Sequence, residues 1–165
     1  MTTVDGVWSQ EEAATFLDEA IVPIRLGCHN PSGGLWMLSL WYRYRDGVFE
    51  CATSTDADVV RFLRENDEIC FEVSTNRPPY MGVRGAGHAT LEEDGAKDVL
   101  RSLVDRYLGT QEAEMAQWLL SDEREEVSII IDPSRLHTWD FTPRMQEIVE
   151  QSPAAQTTLQ SPKYD

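Results

Sequence analysis

PPYMGVRGAGHATL, running from Pro78 to Leu91, is the stretch on which the reading of the fold turns. Two prolines fix an extended entry, because each sets its own φ and biases the residue before it away from helix. Read as a strand from Gly82, one face carries Val83, Gly85, Gly87, Ala89 and Leu91. The other carries Gly82, Arg84, Ala86, His88 and Thr90. Three glycines between positions 82 and 87 weaken a strand, and the usual reason for them is a bend or the close approach of a ligand or another backbone. Two readings follow. Arg84 faces an anion across a cleared surface, or the stretch is a bulged barrel corner with Arg84 solvated at its rim.

Around this stretch lie enough residues, 165 in all, for one domain with a real core. We place that domain at residues 1–150 and read the polar, proline-punctuated 151–165 as a flexible tail. No apolar run is long enough to span a bilayer and no leader pattern opens the chain, so the expectation is a soluble, cytoplasmic protein without a membrane partner. Cys28, Cys51 and Cys70 fit neither a zinc spacing nor a disulfide framework and read as reduced core thiols. Net charge is −15, and Lys97 and Lys163 are the only lysines. Such a surface is what a cytoplasm of very high salt selects, which predicts a halophilic, haloarchaeal source and argues against nucleic acid as a partner.

Taken in order, Ser9 to Ala20 reads as a helix with a capping box between Ser9 and Glu12. Ile21 to Gly27 is a strand. Leu35 to Arg45 and Val48 to Thr53 are strands joined by Asp46-Gly47, the strongest hairpin signal in the chain. A helix from Asp56 to Glu65 and a strand from Glu68 to Ser74 precede the glycine-rich strand. Gly95 to Leu108 and Glu112 to Leu120 show helical periodicity. Glu126 to Asp132 is a final strand ended by Asp132-Pro133, with a further extended piece, LHTWDF. About six hairpin-connected strands with short helices between them predict a mainly β fold, an antiparallel Greek-key sheet that closes or nearly closes.

Signals for chemistry are few. His29, His88 and His137 stand apart without metal-ligand spacing, so no metal site is expected. GVRGAG does not open a helix after a strand, so it is no dinucleotide fingerprint. In ATSTDADVVRFLR, Thr53, Ser54 and Thr55 precede a helix start, where exposed N–H groups attract phosphate. Thr55 and Asp58 also form a capping-box spacing that would satisfy those same groups, with Asp56 and Asp58 repelling an anion there. The cap is the favoured reading on these residues alone.

In the order IVPIRLG, SLWYRYRDGVFECAT, VVRFLREND, ICFEV, PPYMGVRGAGHATL and WDFTPRM, the chain resembles the pyridoxamine 5′-phosphate oxidase-like flavin-binding proteins over Ile21 to Met145. The resemblance implies a six-stranded split β-barrel with short flanking helices, a homodimer whose cofactor sites lie at the interface, and an FMN-dependent oxidoreductase acting on a small molecule. It also implies alternatives: the 8-hydroxy-5-deazaflavin coenzyme, or a non-enzymatic flavin- or haem-binding role, for which His88 is the histidine on the central strand. By position, Met37, Leu38, Ser39 and Leu40 would pass under the flavin ring. Thr53, Ser54 and Thr55 would reach the ribityl chain and phosphate. Gly82 stands where relatives place a ring-contacting side chain, and Trp139 and Arg144 would contact the ring across the interface. The family's cationic phosphate clamp is replaced here by Ala57, Asp58 and Val59, and Arg61 and Arg84 are the substitutes this sequence offers. No side chain is identified as catalytic, and pyridoxamine phosphate oxidase activity itself is not expected.

Overall fold

The computed structural model describes residues 2–151, so the expected tail lies almost wholly outside the described residues. Eight strands form one sheet: β1 (Thr3–Gly6), β2 (Ile24–His29), β3 (Leu35–Leu40), β4 (Arg43–Arg45), β5 (Val48–Ser54), β6 (Glu68–Ser74), β7 (Met81–Glu92) and β8 (Glu126–Asp140). Five helices flank it: α1 (Gln10–Glu19), α2 (Asp58–Glu65), α3 (Ala96–Leu108), α4 (Glu114–Leu119) and α5 (Thr142–Gln151). The path of hydrogen-bonded strands runs β3-β2-β6-β7-β8-β5-β4, antiparallel throughout, and β1 adds to β8 in parallel. Its two ends are neighbours in sequence. Only Trp41 and Tyr42 separate β3 from β4, so the chain itself closes the barrel at that corner. This is the mainly β split barrel expected, but with eight strands in place of the six expected, because the corner divides one expected strand into β3 and β4 and the unforeseen β1 adds to β8.

The corner breaks the single Leu35–Arg45 strand read from the sequence. Tyr42 turns fully inward, and its hydroxyl donates to the carbonyls of Leu17 (2.9 Å) and Ala20 (3.3 Å) at the end of α1. Arg106 donates to the same two carbonyls from α3, which satisfies groups that a helix end leaves without intrahelical partners. Tyr107 stacks on Trp41 with ring centroids 5.1 Å apart. Beyond the corner, Asp46 and Gly47 both take positive φ, 53° and 86°, the signature of a type I′ hairpin. The expected capping box is present at α1, where Ser9 accepts from the Glu12 amide and the Glu12 carboxylate accepts from the Ser9 amide.

Two further expectations about the elements need correction. β8 is one strand of 15 residues, not a strand ended by Asp132-Pro133 with a separate extended piece. Between Ala86, opposite Arg135, and Gly87, opposite Pro133, the register shifts and Ser134 bulges out, its hydroxyl donating to the Ala86 carbonyl at 3.0 Å. A bulge is where a sheet tolerates a proline. The bulge also explains Gly87, since a Cβ there would collide with the Asp132 and Pro133 backbone. The second correction concerns α2. Its N-cap is Ala57, with no side-chain cap bond, so Thr55 and Asp58 do not form a capping box. Asp58 instead holds Arg61 at 2.7 Å.

Inside the barrel, Phe49, Phe71, Ile129 and Ile131 pack with Phe16 and Leu17 of α1 and Val59 and Val60 of α2. A smaller cluster, Leu100 and Val104 of α3 with Ala116 of α4, packs with Trp41 and Ala52. Burial of side chains of this kind, at about 25 cal/mol per Å² of apolar area, is the main force holding the barrel shut.

Candidate functional site

Two concave regions gather the residues singled out from the sequence, and no residue lines both. The first is a cleft of about 230 Å³ at the seam where β3 approaches β5 beneath α3 and α4. It joins Ser39, Leu40 and Thr53 to Trp41, Ala52, Arg124 and Glu126. The convergence follows from topology: β3 and β5 flank the two-residue corner and its hairpin, so their ends return to one place. Glu126 opens β8 on the outward face opposite Ser54, with Ser128 next on that face. Its side chain is 1% exposed, and one oxygen accepts from Arg124 Nε at 2.8 Å. The other oxygen and the Ser128 hydroxyl are buried without a partner. The Arg124 guanidinium carbon lies over the Trp118 ring, 4.3 Å from its centroid. Sequence reading missed this pair because SDEREEV looks like solvated charge. The available signal was that Glu126 falls on the same face as Ser128 in the run EVSIII.

The second region is a groove of about 670 Å³ on the outer face of the sheet. Strand register aligns Ser39, Arg25, Glu72, Arg84, His137 and Asp5 as one polar row across β3, β2, β6, β7, β8 and β1. The adjacent row, Met37, Gly27, Cys70, Ala86 and Arg135, is mostly small and forms the floor. Cys70 is therefore an exposed thiol at the groove, not a core thiol, whereas Cys28 and Cys51 are buried. Burial pushes the pKa of both buried thiols up, most strongly at Cys51.

Of the other expected residues, Gly82 and Trp139 are cross-strand partners, and Arg84 reaches over the Trp139 ring at 5.5 Å. A Cβ at Gly82 would stand 2.8 Å from Trp139 Cζ2 and 2.5 Å from the Val73 carbonyl, so this glycine is required by packing within the chain. The bulge of the second reading is present, and Arg84 is exposed beside the small residues Gly27, Cys70 and Ala86. Leu38 packs against the core and Met37 is 67% exposed on the edge strand. Ser54 and Thr55 continue from Thr53, Ser54 Oγ accepting weakly from the Asp56 amide (3.4 Å) and the Thr55 amide donating to Glu125 O. Arg61 is held by Asp58, and Arg144 is exposed beside Phe141. Within one chain, Arg84, Gly82 and Trp139 sit apart from Thr53. Val127, opposite Thr53, and His137, opposite Arg84, are ten residues apart along β8, about 33 Å of strand.

The three histidines each face an acidic side chain: His29 with Glu68 at 3.8 Å, His88 with Asp67 at 3.2 Å, and His137 with Asp5. None lines the cleft. Among the described residues no group of acidic, histidine or cysteine side chains has the arrangement of a metal site, and no helix is long and apolar enough to cross a membrane.

No protein-family profile and no curated protein matches this chain. Solved structures share its fold. A conserved hypothetical protein of Mycobacterium tuberculosis superposes with a TM-score of 0.69 at 24% identity, covering 85% of this chain and 89% of its own. An F420 reductase gives 0.56 at 22% identity, over 73% of this chain and 92% of its own. A FAD-binding protein of Mesorhizobium loti gives 0.56 at 17% identity, over 78% and 92%. Flavin, deazaflavin and haem proteins are all among the matched structures, so the common barrel gives the fold and leaves the ligand open.

Proposed function

We propose that this protein is a flavin-dependent oxidoreductase, with FMN seated in the cleft between β3, β5 and α4. The observation that carries the reading is the meeting of Ser39, Leu40 and Thr53, expected separately from the resemblance, in one cleft that holds a buried carboxylate oxygen without a donor. Leaving such an oxygen unmatched costs about 1–3 kcal/mol. A ring N–H or ribityl hydroxyl would supply the donor, and Arg124, bonded to the other Glu126 oxygen, would hold that carboxylate in place. At about 230 Å³ the cleft is below the usual 300–1,000 Å³ of a ligand pocket. A second subunit completing it accounts for the difference, and it would bring the Gly82–Arg84–Trp139 cluster or Arg144 to the ring. A flavin supplies hydride transfer through its N5, and the protein's part is to orient the ring and exclude water.

The F420 reductase fold and the missing clamp at α2 favour a second reading, a deazaflavin coenzyme in the same cleft. The visible spectrum of the purified protein, followed by titration of apo-protein with FMN and with the deazaflavin coenzyme, decides between them. Binding of FMN at micromolar Kd that weakens at least tenfold in both Thr53→Val and Arg124→Met supports the proposal. Binding of the deazaflavin alone moves the assignment to the second reading. Binding of neither overturns both.

A further inference from the structure

Of residues 109–125, the stretch that carries α4 across the cleft, only Ala116 is buried. A segment with so little buried apolar surface belongs to the low end of local stability. Ala116 is seated on Leu100 and Val104 of α3, with Leu119 and Leu120 only partly covered beside it. Met115 and Trp118 are 54% and 59% exposed. The hydrogen bonds of α4 are its own. Gln117 N donates to Ala113 O and Leu120 N to Ala116 O, both at 3.0 Å, so they survive if the segment moves as a unit.

Both ends of the segment can turn. Gly109 closes α3 with φ 69°, and nothing lies within 4 Å of where its Cβ would stand. At the other end Asp122 and Glu123 form an exposed turn. Two ties clamp that end: Lys97 Nζ donates to the Ser121 carbonyl at 2.5 Å, and the Arg124 guanidinium covers the Trp118 ring. Arg124 itself lies beyond the turn and is bonded to Glu126, so the segment can lift without breaking that pair.

What lies beneath gives the motion a use. Met115 and Leu119 form the α4 side of the cleft, whose volume of about 230 Å³ is small for a ligand pocket. Glu126 lines the same cleft, with one buried oxygen that has no partner. A ligand that reaches this oxygen needs room that Met115 and Leu119 take up.

We propose that residues 110–121 form a lid on the cleft, hinged at Gly109 and at Asp122–Glu123, which lifts Ala116 from its seat to admit a ligand and then closes over it. The motion stands on these residues alone, whereas a flavin as the occupant rests on the cofactor reading above.

Native-state hydrogen exchange reads the motion. The amides of Gln117 and Leu120 should exchange at least about a hundredfold faster than those of Leu103 and Val104 on α3, without the urea dependence that global unfolding imposes. Labelling by a thiol reagent reads access to the cleft. Ala52→Cys places a thiol on the cleft wall, in a chain where Cys70→Ser removes the exposed native one. Ala116→Gly weakens both the helix and its seat, and should speed exchange and labelling about fivefold. Bound FMN should slow the labelling about tenfold or more. Exchange of Gln117 and Leu120 at the rate of Leu103, or labelling that Ala116→Gly does not accelerate, would overturn the lid, as would FMN binding that leaves labelling unchanged. A lid that opens in a protein binding neither FMN nor the deazaflavin coenzyme keeps this inference and loses the proposed cofactor.

Discussion

Replacing Arg124 with methionine should destabilise the protein by about 3 kcal/mol, and neutralising Glu126 in the same chain should recover most of that loss. The carboxylate of Glu126 has 1% of its side chain exposed, and Arg124 has 21%. Breaking a buried pair from one side costs about 3–5 kcal/mol, because the remaining charge stays uncompensated. Arg124 keeps some contact with water, which places the loss at the lower end of that range. The contact with the exposed Trp118 ring accounts for about 0.5–1 kcal/mol of that loss. For a domain of this size 1 kcal/mol moves the midpoint by about 2–4 °C, so thermal unfolding should fall by about 6–12 °C. Glu126→Gln alone removes the charge but keeps an acceptor for Arg124, and should change stability by less than about 1 kcal/mol. Urea unfolding followed by circular dichroism at about 1 M salt, where the altered net charge is screened, gives all three values. A loss below about 1 kcal/mol in Arg124→Met, or no recovery in the double variant, would refute the reading of Glu126 as a buried charge that depends on Arg124.

Three further outcomes are expected. Gly82→Ala should cost about 1–3 kcal/mol by forcing Trp139 off the strand, and its tryptophan fluorescence should shift, an unchanged spectrum and midpoint counting against the packing argument. A thiol reagent at pH 8 should modify Cys70 quickly and Cys28 and Cys51 only after unfolding, because burial raises the pKa of the latter two and keeps them protonated; three equally fast thiols in the native protein would contradict it. With a net charge of −15, circular dichroism should report reversible loss of structure as ionic strength falls below about 0.1 M, where the screening length exceeds about 10 Å. A fold that stays intact in dilute buffer would remove the halophile reading.

The legible parts of the fold were those fixed by local chemistry. Asp46-Gly47 supplies two positive-φ residues, Ser9 and Glu12 cap one another, and the alternation of Val83, Gly87 and Ala89 against Arg84, His88 and Thr90 separates buried from exposed in β7 as read. What escaped depends on distant partners. β1 is a four-residue strand, TVDG, with no apolar alternation, and exists because the second half of β8 offers it an edge. Pro133 read as a terminator because a bulge cannot be recognised until the opposing strand is known. The cleft was half legible: Ser39, Leu40 and Thr53 came from resemblance, while Arg124 and Glu126 needed the helical cover of α3 and α4 to become buried. Arg25, Arg84 and Arg135 are scattered along the chain, and register alone gathers them.

The parallel pairing of β1 with β8 also bears on how the molecule assembles. The Asp5–His137 contact closes a span of 132 residues, so the entropy of loop closure must be met before β1 gains anything from its hydrogen bonds. By then β8 is already paired to β7 and β5 over most of its length. The amino-terminal strand therefore joins a barrel that is otherwise complete, and in native-state hydrogen exchange its amides should open at a lower free energy than those of β7. The edge of β8 that bears Arg135 and His137, one wall of the groove on the outer face, is then uncovered transiently without the barrel unfolding.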